Sequence, residues 1–354
     1  MLAGAAAPDS KGWELPCTPA PGAGPPRFVL GVWYQPGASF TKWKKRGINT
    51  IVGRDMEGGK TPRENWLKQL DQAGLYSIRQ PEGDPIADGK DPRLLAWFVI
   101  RDEPDVAYRD GDAGTAPADA LRERDRLRNA SPSTPLFINV SGSYVIDAFR
   151  GASRPSVDDY RAYLESADWI SNDHYPVTSW ARPDWIDLRL PIAERREESN
   201  RFTIGWVLTR LSEWSGGKPQ FAILETSNQN LTWVPPRKRR GVSPDELRGQ
   251  IWHAIINGAR GLIYFPCSFN EFQYDGTPPD VAAELITQNA RITAWADLLL
   301  SPGQAIAAPA PFEAATRSYQ GHTYRIVLNF SHEPSTYVNG DRYGAYEYRA
   351  YLGD

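Results

Sequence analysis

The sequence is poor in the residues that build disulfide frameworks and metal centres, and it has no long apolar run. Two cysteines, Cys17 and Cys267, are too few for a stapled scaffold or a cysteine-ligated metal site. They either pair with each other or are both thiols. Four histidines, His174, His253, His322 and His332, show no HxH or HExxH spacing, which argues against a metal-dependent barrel hydrolase. No stretch reaches the roughly 20 apolar residues that a membrane helix needs. The small-residue start, Leu2 to Pro8, lacks a basic segment and is too short for the apolar core of a signal peptide. As a trimmed remnant of such a peptide it would make the protein secreted or periplasmic. An excess of one charge is also missing. A net charge of -3 over 354 residues gives no field that gathers nucleic acid or an anionic membrane, and the basic run Arg237 to Arg240 is local. Serine-histidine-aspartate catalysis has no GxSxG elbow to support it, and no strand candidate ends in a lone lysine suited to a Schiff base.

What is present describes a globular chain, 41% hydrophobic and 23% charged, with 13 tryptophans and 16 tyrosines. Flat aromatic faces suit the stacking of sugar rings, although core packing accounts for most of such a load. After a Pro/Gly/Ala-rich leader over 1–26, eight apolar strand candidates follow: Phe28–Tyr34, Ile48–Gly53, Leu75–Arg79, Leu95–Ile100, Leu136–Val140, Trp169–His174, Phe221–Leu224 and Gly261–Phe265. Helical patterns separate them. Thr61–Ala73 carries Pro62 at its first turn, Pro117–Asn129 and Val157–Ser166 follow, and Ser243–Ala259 opens with a Ser243…Glu246 capping box. Eight strands alternating with helices predict a (β/α)8 barrel over 27–300. An open doubly wound sheet would be expected to show a Gly-rich phosphate turn after its first strand, and Gly31 to Gly37 lacks the GxGxxG spacing. From about Ser301 the pattern changes. Phe312–Ser318, Thr323–Phe330 and Tyr343–Leu352 are short, aromatic and β-branched, and they predict a small antiparallel β appendage over 301–354, packed on the barrel.

In such a barrel the chemistry sits where the strands end. The strand-end residues are Trp33 and Tyr34, Arg54 and Asp55, Arg79, Asp102 and Glu103, Asn139, Asp173, His174 and Tyr175, Glu225, and Tyr264. Two of them, Glu103 in Leu95-Ala-Trp-Phe-Val-Ile-Arg-Asp-Glu103-Pro104 and Glu225 in Phe221-Ala-Ile-Leu-Glu225-Thr226, are carboxylates delivered where an apolar run breaks. A general acid and a nucleophile are the minimum equipment for cleaving a glycosidic bond. The polar and aromatic neighbours would supply hydrogen bonds and flat faces for a sugar. Trp180 and Trp233 are further candidate platforms.

Glutamates ending strands 4 and 7 of an eight-stranded barrel resemble the retaining glycoside hydrolases of clan A, and the resemblance spans roughly residues 28 to 300. It implies Glu103 as general acid/base and Glu225 as nucleophile, with no cofactor. Tyr175, after Asp168-Trp-Ile-Ser-Asn-Asp-His174, matches the Tyr or His that the clan often places near the nucleophile. Arg54 resembles the arginine that keeps the nucleophile ionised. Two departures stand out. Asp102 replaces the asparagine the clan usually has before the acid/base, which removes an amide donor and adds a charge that raises the pKa of Glu103. Strand 8 offers Tyr264 and Phe265 where many members have tryptophan. The implied reaction is double displacement on a poly- or oligosaccharide. A transglycosylase using the same carboxylates and a non-catalytic glycan-binding barrel are the alternatives. Sugar identity, linkage and oligomeric state do not follow from these residues.

Overall fold

The computed structural model of the protein describes residues 24–54, 61–151, 155–178, 203–231, 241–308, 312–331 and 347–353. Eight parallel strands close into a barrel in sequence order: β1 Val29–Trp33, β2 Thr50–Val52, β3 Tyr76–Arg79, β4 Leu94–Phe98, β5 Leu136–Ser141, β6 Trp169–Asp173, β7 Gln220–Glu225 and β8 Ala259–Phe265, with β8 pairing back onto β1. The predicted barrel is therefore the observed one, and each expected strand is present. The strands read as continuous apolar runs because both faces are covered. Alternate residues, among them Val29, Trp33, Phe98, Phe137, Phe221 and Ile263, fill the interior. Their neighbours Leu30, Val32, Leu224 and Leu262, or Ile138, Val140 and Ile170, pack outward against helices.

The helices of the described residues are α1 Phe40–Lys45, α2 Arg63–Gln72, α3 Pro85–Asp88, α4 Pro104–Asp110, α5 Pro117–Ala130, α6 Gly142–Phe149, α7 Val157–Glu165, α8 Ile204–Trp214, α9 Pro244–Ile256, α10 Pro279–Ala294 and α11 Ala296–Leu300. The expected capping box opens α9. The Ser243 hydroxyl accepts from Glu246 N at 3.2 Å, and the Glu246 carboxylate accepts from Ser243 N at 2.9 Å. Pro62 stands one position outside the first turn it was expected to fill, as the N-cap of α2. No helix of the described residues is long and apolar enough to cross a membrane.

A four-stranded antiparallel sheet, ordered β12-β11-β10-β9, follows the barrel: β9 Gly303–Ile306, β10 Phe312–Tyr319, β11 His322–Ser331 and β12 Glu347–Gly353. Strand β9 escaped the sequence pattern because Gly303-Gln304-Ala305 lacks β-branched and aromatic residues and is exposed. Ala315, Ile326 and Leu328 from this sheet share one buried cluster with Trp252, Leu285 and Leu299 from the barrel's outer helices. Arg317 fixes the contact: its guanidinium donates to the carbonyls of Leu299 at 3.1 Å and Ile255 at 3.0 Å, at the C-terminal ends of α11 and α9.

Candidate active site

The C-terminal ends of β4, β5 and β6 bring four acids together: Asp102, Glu103, Asp105 and Asp173. Asn139, the inward residue of β5, organises the first two. Its carbonyl accepts from Glu103 N at 3.2 Å and its Nδ2 donates to Asp102 Oδ1 at 2.8 Å. Glu103 is the N-cap of α4 and has φ 42°, ψ 58°. A left-handed conformation at a residue with a side chain costs energy and persists only where surroundings impose it. The bond from Glu103 N to the Asn139 carbonyl holds it here, against the extended backbone that Pro104 would favour at the residue before it. Tyr34, with φ 43°, is a second such residue, and its amide donates to Val52 O at 2.8 Å.

Electrostatics follow from this crowding. Burial and the charges of Asp173, Asp102 and Asp105 push the carboxyl of Glu103 well above the usual range, opposed by the Ser141 hydroxyl as a donor. Burial raises Asp102 to about 6, against the opposing effect of its bond from Asn139. Burial also raises Asp105 to about 7, although its carboxylate accepts from Tyr160 Oη at 2.6 Å and from Ser141 N at 3.0 and 3.1 Å. Asp173 is raised by burial and then by Asp102. The hydroxyls of Tyr34 and Tyr175 face the same acids. Burial raises both, and the charges of Asp102, Asp173 and Glu103 add to the effect. A carboxyl whose protonated form is favoured in such a setting is suited to donate a proton.

Glu225 ends β7 as expected, but its carboxylate is fully buried and both oxygens are engaged. Oε1 accepts from Val177 N at 2.6 Å, and Oε2 accepts from Thr178 N at 2.8 Å and from the Thr178 hydroxyl at 2.5 Å. It ties down the chain just beyond β6.

Of the other expected residues, Tyr34, Asp102, Asn139 and Tyr175 converge on the acids. Five described residues are placed differently. Trp33 is a plug beneath the mouth, 1% exposed and edge-on to Tyr34 and Phe98, so no face is open to a sugar. Arg54 is paired with Glu82 at 2.7 Å and donates to the Thr61 carbonyl. His174 is buried behind the site against Gly142. Tyr264 points outward, its hydroxyl donating to Asn289 on α10 at 2.7 Å, because it falls on the outer parity of β8. Arg79 likewise faces outward, into a buried pairing with Asp88 at 2.6 Å and Asp91 at 3.0 Å. Trp180 and Trp233 lie outside the described residues, as do Asp55 and Cys17. Cys267 is a buried thiol pushed up to about 12 by burial. Sequence reasoning missed Asp105 and Ser141. Asp105 lies two residues beyond Glu103, but nothing local marks it, since its bonds come from β5 and α7. Among the described residues no group of three His, Cys, Asp or Glu side chains is arranged to hold a metal ion.

No family model matches the sequence, and no curated protein matches it. Solved structures do share its fold. A β-galactosidase from the psychrophilic Marinomonas ef1 superposes with a TM-score of 0.50 at 14% identity, covering 77% of this chain, which spans 62% of that one. A family 5 glycoside hydrolase from Bacteroides vulgatus ATCC 8482 gives 0.50 at 11% identity, over 85% of this chain and 76% of the other. An α-amylase from Lactobacillus plantarum gives 0.51 at 12%, over 85% and 88%. The chain has the barrel fold found in these glycoside hydrolases.

Proposed function

We propose that the protein is a glycoside hydrolase in which Glu103 is the general acid/base. One observation carries this reading: Glu103 stands at the C-terminal mouth of the barrel in a strained conformation, with burial and three neighbouring acids favouring its protonated form. The fold shared with glycosidases supports it. In the retaining version, Glu225 attacks the anomeric carbon while Glu103 protonates the departing oxygen, and Glu103 then activates water to release the sugar. That step requires Val177 and Thr178 to release one oxygen of Glu225.

The sequestration of Glu225 favours a second assignment. Asp173, the last residue of β6, faces the same acids as Glu103, with Tyr175 and Asn139 acting on it as hydrogen-bond donors, and it is not sequestered by backbone amides as Glu225 is. It would then be the second carboxylate, and Glu225 a positioning residue that fixes the chain after β6. Hydrolysis of a panel of aryl glycosides and polysaccharides by wild type, Glu103→Gln, Glu225→Gln and Asp173→Asn, with NMR of the first-formed anomer, tests both. Glu103→Gln is expected to lose about 100- to 10,000-fold in kcat for substrates with poor leaving groups. Retained configuration with collapse in Glu225→Gln supports the double displacement. Collapse in Asp173→Asn with a partly active Glu225→Gln supports the second assignment. Turnover that survives Glu103→Gln would overturn the reading.

A further inference from the structure

The loop between β8 and α10 holds aromatic side chains in the open at the mouth of the barrel. Among the described residues five large apolar side chains are exposed, and two of them, Phe269 and Phe272, each 37% exposed, are neighbours there. A line of rings joins them to the acids. Tyr175, whose hydroxyl faces Asp173 and Glu103, lies 5.2 Å between ring centroids from Phe265 at the end of β8. Phe265 stacks on Phe269 at 6.0 Å and 26°, and Phe269 meets Phe272 at 6.3 Å. Phe265 is buried, so the line surfaces at Phe269. The outer rings stand on a fixed support. Ser268 and Gln273 exchange backbone hydrogen bonds at 3.0 and 2.9 Å, closing a hairpin whose tip, Glu271, has φ 64°. The loop after β7 fastens it: Phe269 N donates to Gln229 O at 2.9 Å and Asn230 Nδ2 to Asn270 O at 3.0 Å, with Gln229 and Asn230 both at φ 49°. Backbone strain of this kind persists where the surroundings over-determine it and gathers at binding sites. Neighbouring rings held in water beside a cleft keep apolar area exposed that burial would otherwise remove, and such a patch marks a binding surface.

We propose that the hairpin carrying Phe269 and Phe272 is a subsite for a further sugar ring of an oligosaccharide whose scissile bond lies at Glu103. The proposal rests on the glycosidase reading and names the size of the substrate and the residues that select for it. Strand β8 is four strands from β4 in either direction around the closed barrel, so a chain held at both places crosses the mouth. The aromatic faces suit the C–H face of a sugar, and the exposed amide side chains of Asn270 and Gln273 beside them suit its hydroxyls. A protein partner needs far more buried area than two rings offer, which favours the sugar.

The test measures calorimetric binding of glucose, mannose, xylose and galactose and of their β-1,4-linked hexamers to Glu103→Gln, in which chains stay uncleaved, with and without Phe269→Ala and Phe272→Ala together. Hydrolysis of the hexamers and of nitrophenyl monoglycosides by the protein with Glu103 intact, with and without the two alanines, runs in parallel, and urea unfolding checks that the variants fold. At least one hexamer is expected to bind more tightly than its monosaccharide. The double alanine variant is expected to weaken that binding, and to raise KM for the same hexamer, by at least about tenfold, because a sugar face returns to water. Its turnover of the monoglycoside is expected to be unchanged, and Phe269→Tyr with Phe272→Tyr, which keeps the flat faces, to restore hexamer binding. Hexamer binding that ignores the two alanines overturns the inference and, where the monoglycoside is still hydrolysed, leaves the glycosidase reading intact. Binding that depends on the rings with no sugar hydrolysed supports the subsite and overturns the hydrolase. No hexamer bound more tightly than its monosaccharide overturns the inference. A dimer in sedimentation that the two alanines abolish, with glycan binding unchanged, overturns it in favour of a second copy of the chain on the same rings.

Discussion

At the scale of single residues, one side chain, Asn139, decides how the acid turn is presented. Its backbone and its amide bind consecutive acids, so Asp102 and Glu103 are fixed relative to β5 as well as to their own strand. The charge of Asp102 is one of the causes that keep Glu103 protonated. Asp102→Asn keeps an acceptor for Asn139 and removes the charge, so Glu103 loses its proton at lower pH. The alkaline limb of the kcat/KM profile therefore moves toward acid, and an unmoved limb would show that Asp102 does not tune the acid. Stability gives a separate check. Asp102 is raised from 3.8 to about 6 on folding, so the folded state retains a proton that the unfolded chain releases. The stabilisation from that proton is complete below 3.8 and is lost as pH rises through about 6. Asp102→Asn should accordingly gain stability relative to wild type as pH is raised across that window, measured by urea unfolding.

At the scale of elements, the site depends on how closely α6 approaches the end of β6. A Cβ on Gly142, the first residue of α6, would sit 2.6 Å from His174 Cβ and 3.3 Å from the Asp173 carbonyl. Neither is the far end of a flexible chain, so either the helix or the strand end must shift. Gly142→Ala is expected to cost about 1–3 kcal/mol, the usual penalty for overpacking. It should lower kcat/KM by more than the loss of folded protein explains, because Asp173 moves with His174. Denaturant unfolding and kinetics on the folded fraction separate the two effects. An activity change matching only the unfolded fraction would mean that the β6 end tolerates the shift.

At the scale of the whole molecule, the small sheet shares its core with the barrel. Ile326 is 1% exposed within the cluster that also contains Trp252 and Leu299. Ile326→Ala is expected to destabilise by about 2–5 kcal/mol. Barrel and sheet should still unfold in one calorimetric transition, since no separate core would be left behind. A new low-temperature transition confined to the sheet would instead identify an independent unit.

The order of elements was legible in the sequence because each barrel strand is buried on both faces and so appears as an apolar run of strand length between helical patterns. The same runs showed where carboxylates emerge, which placed Asp102, Glu103, Asp173 and Glu225 at strand ends. Side-chain direction was harder to read. Tyr264 and Arg79 lie one residue out of phase with the interior, and a run apolar on both faces conceals that phase. Strand β9 was invisible because its residues have little preference for a strand and are held there by pairing with β10. Local sequence thus determined the barrel and the supply of acids. Tertiary structure alone decided which acids meet, since Asn139 from β5 gathers those of β4 while Val177 and Thr178 close over Glu225, and these contacts join residues far apart in the chain.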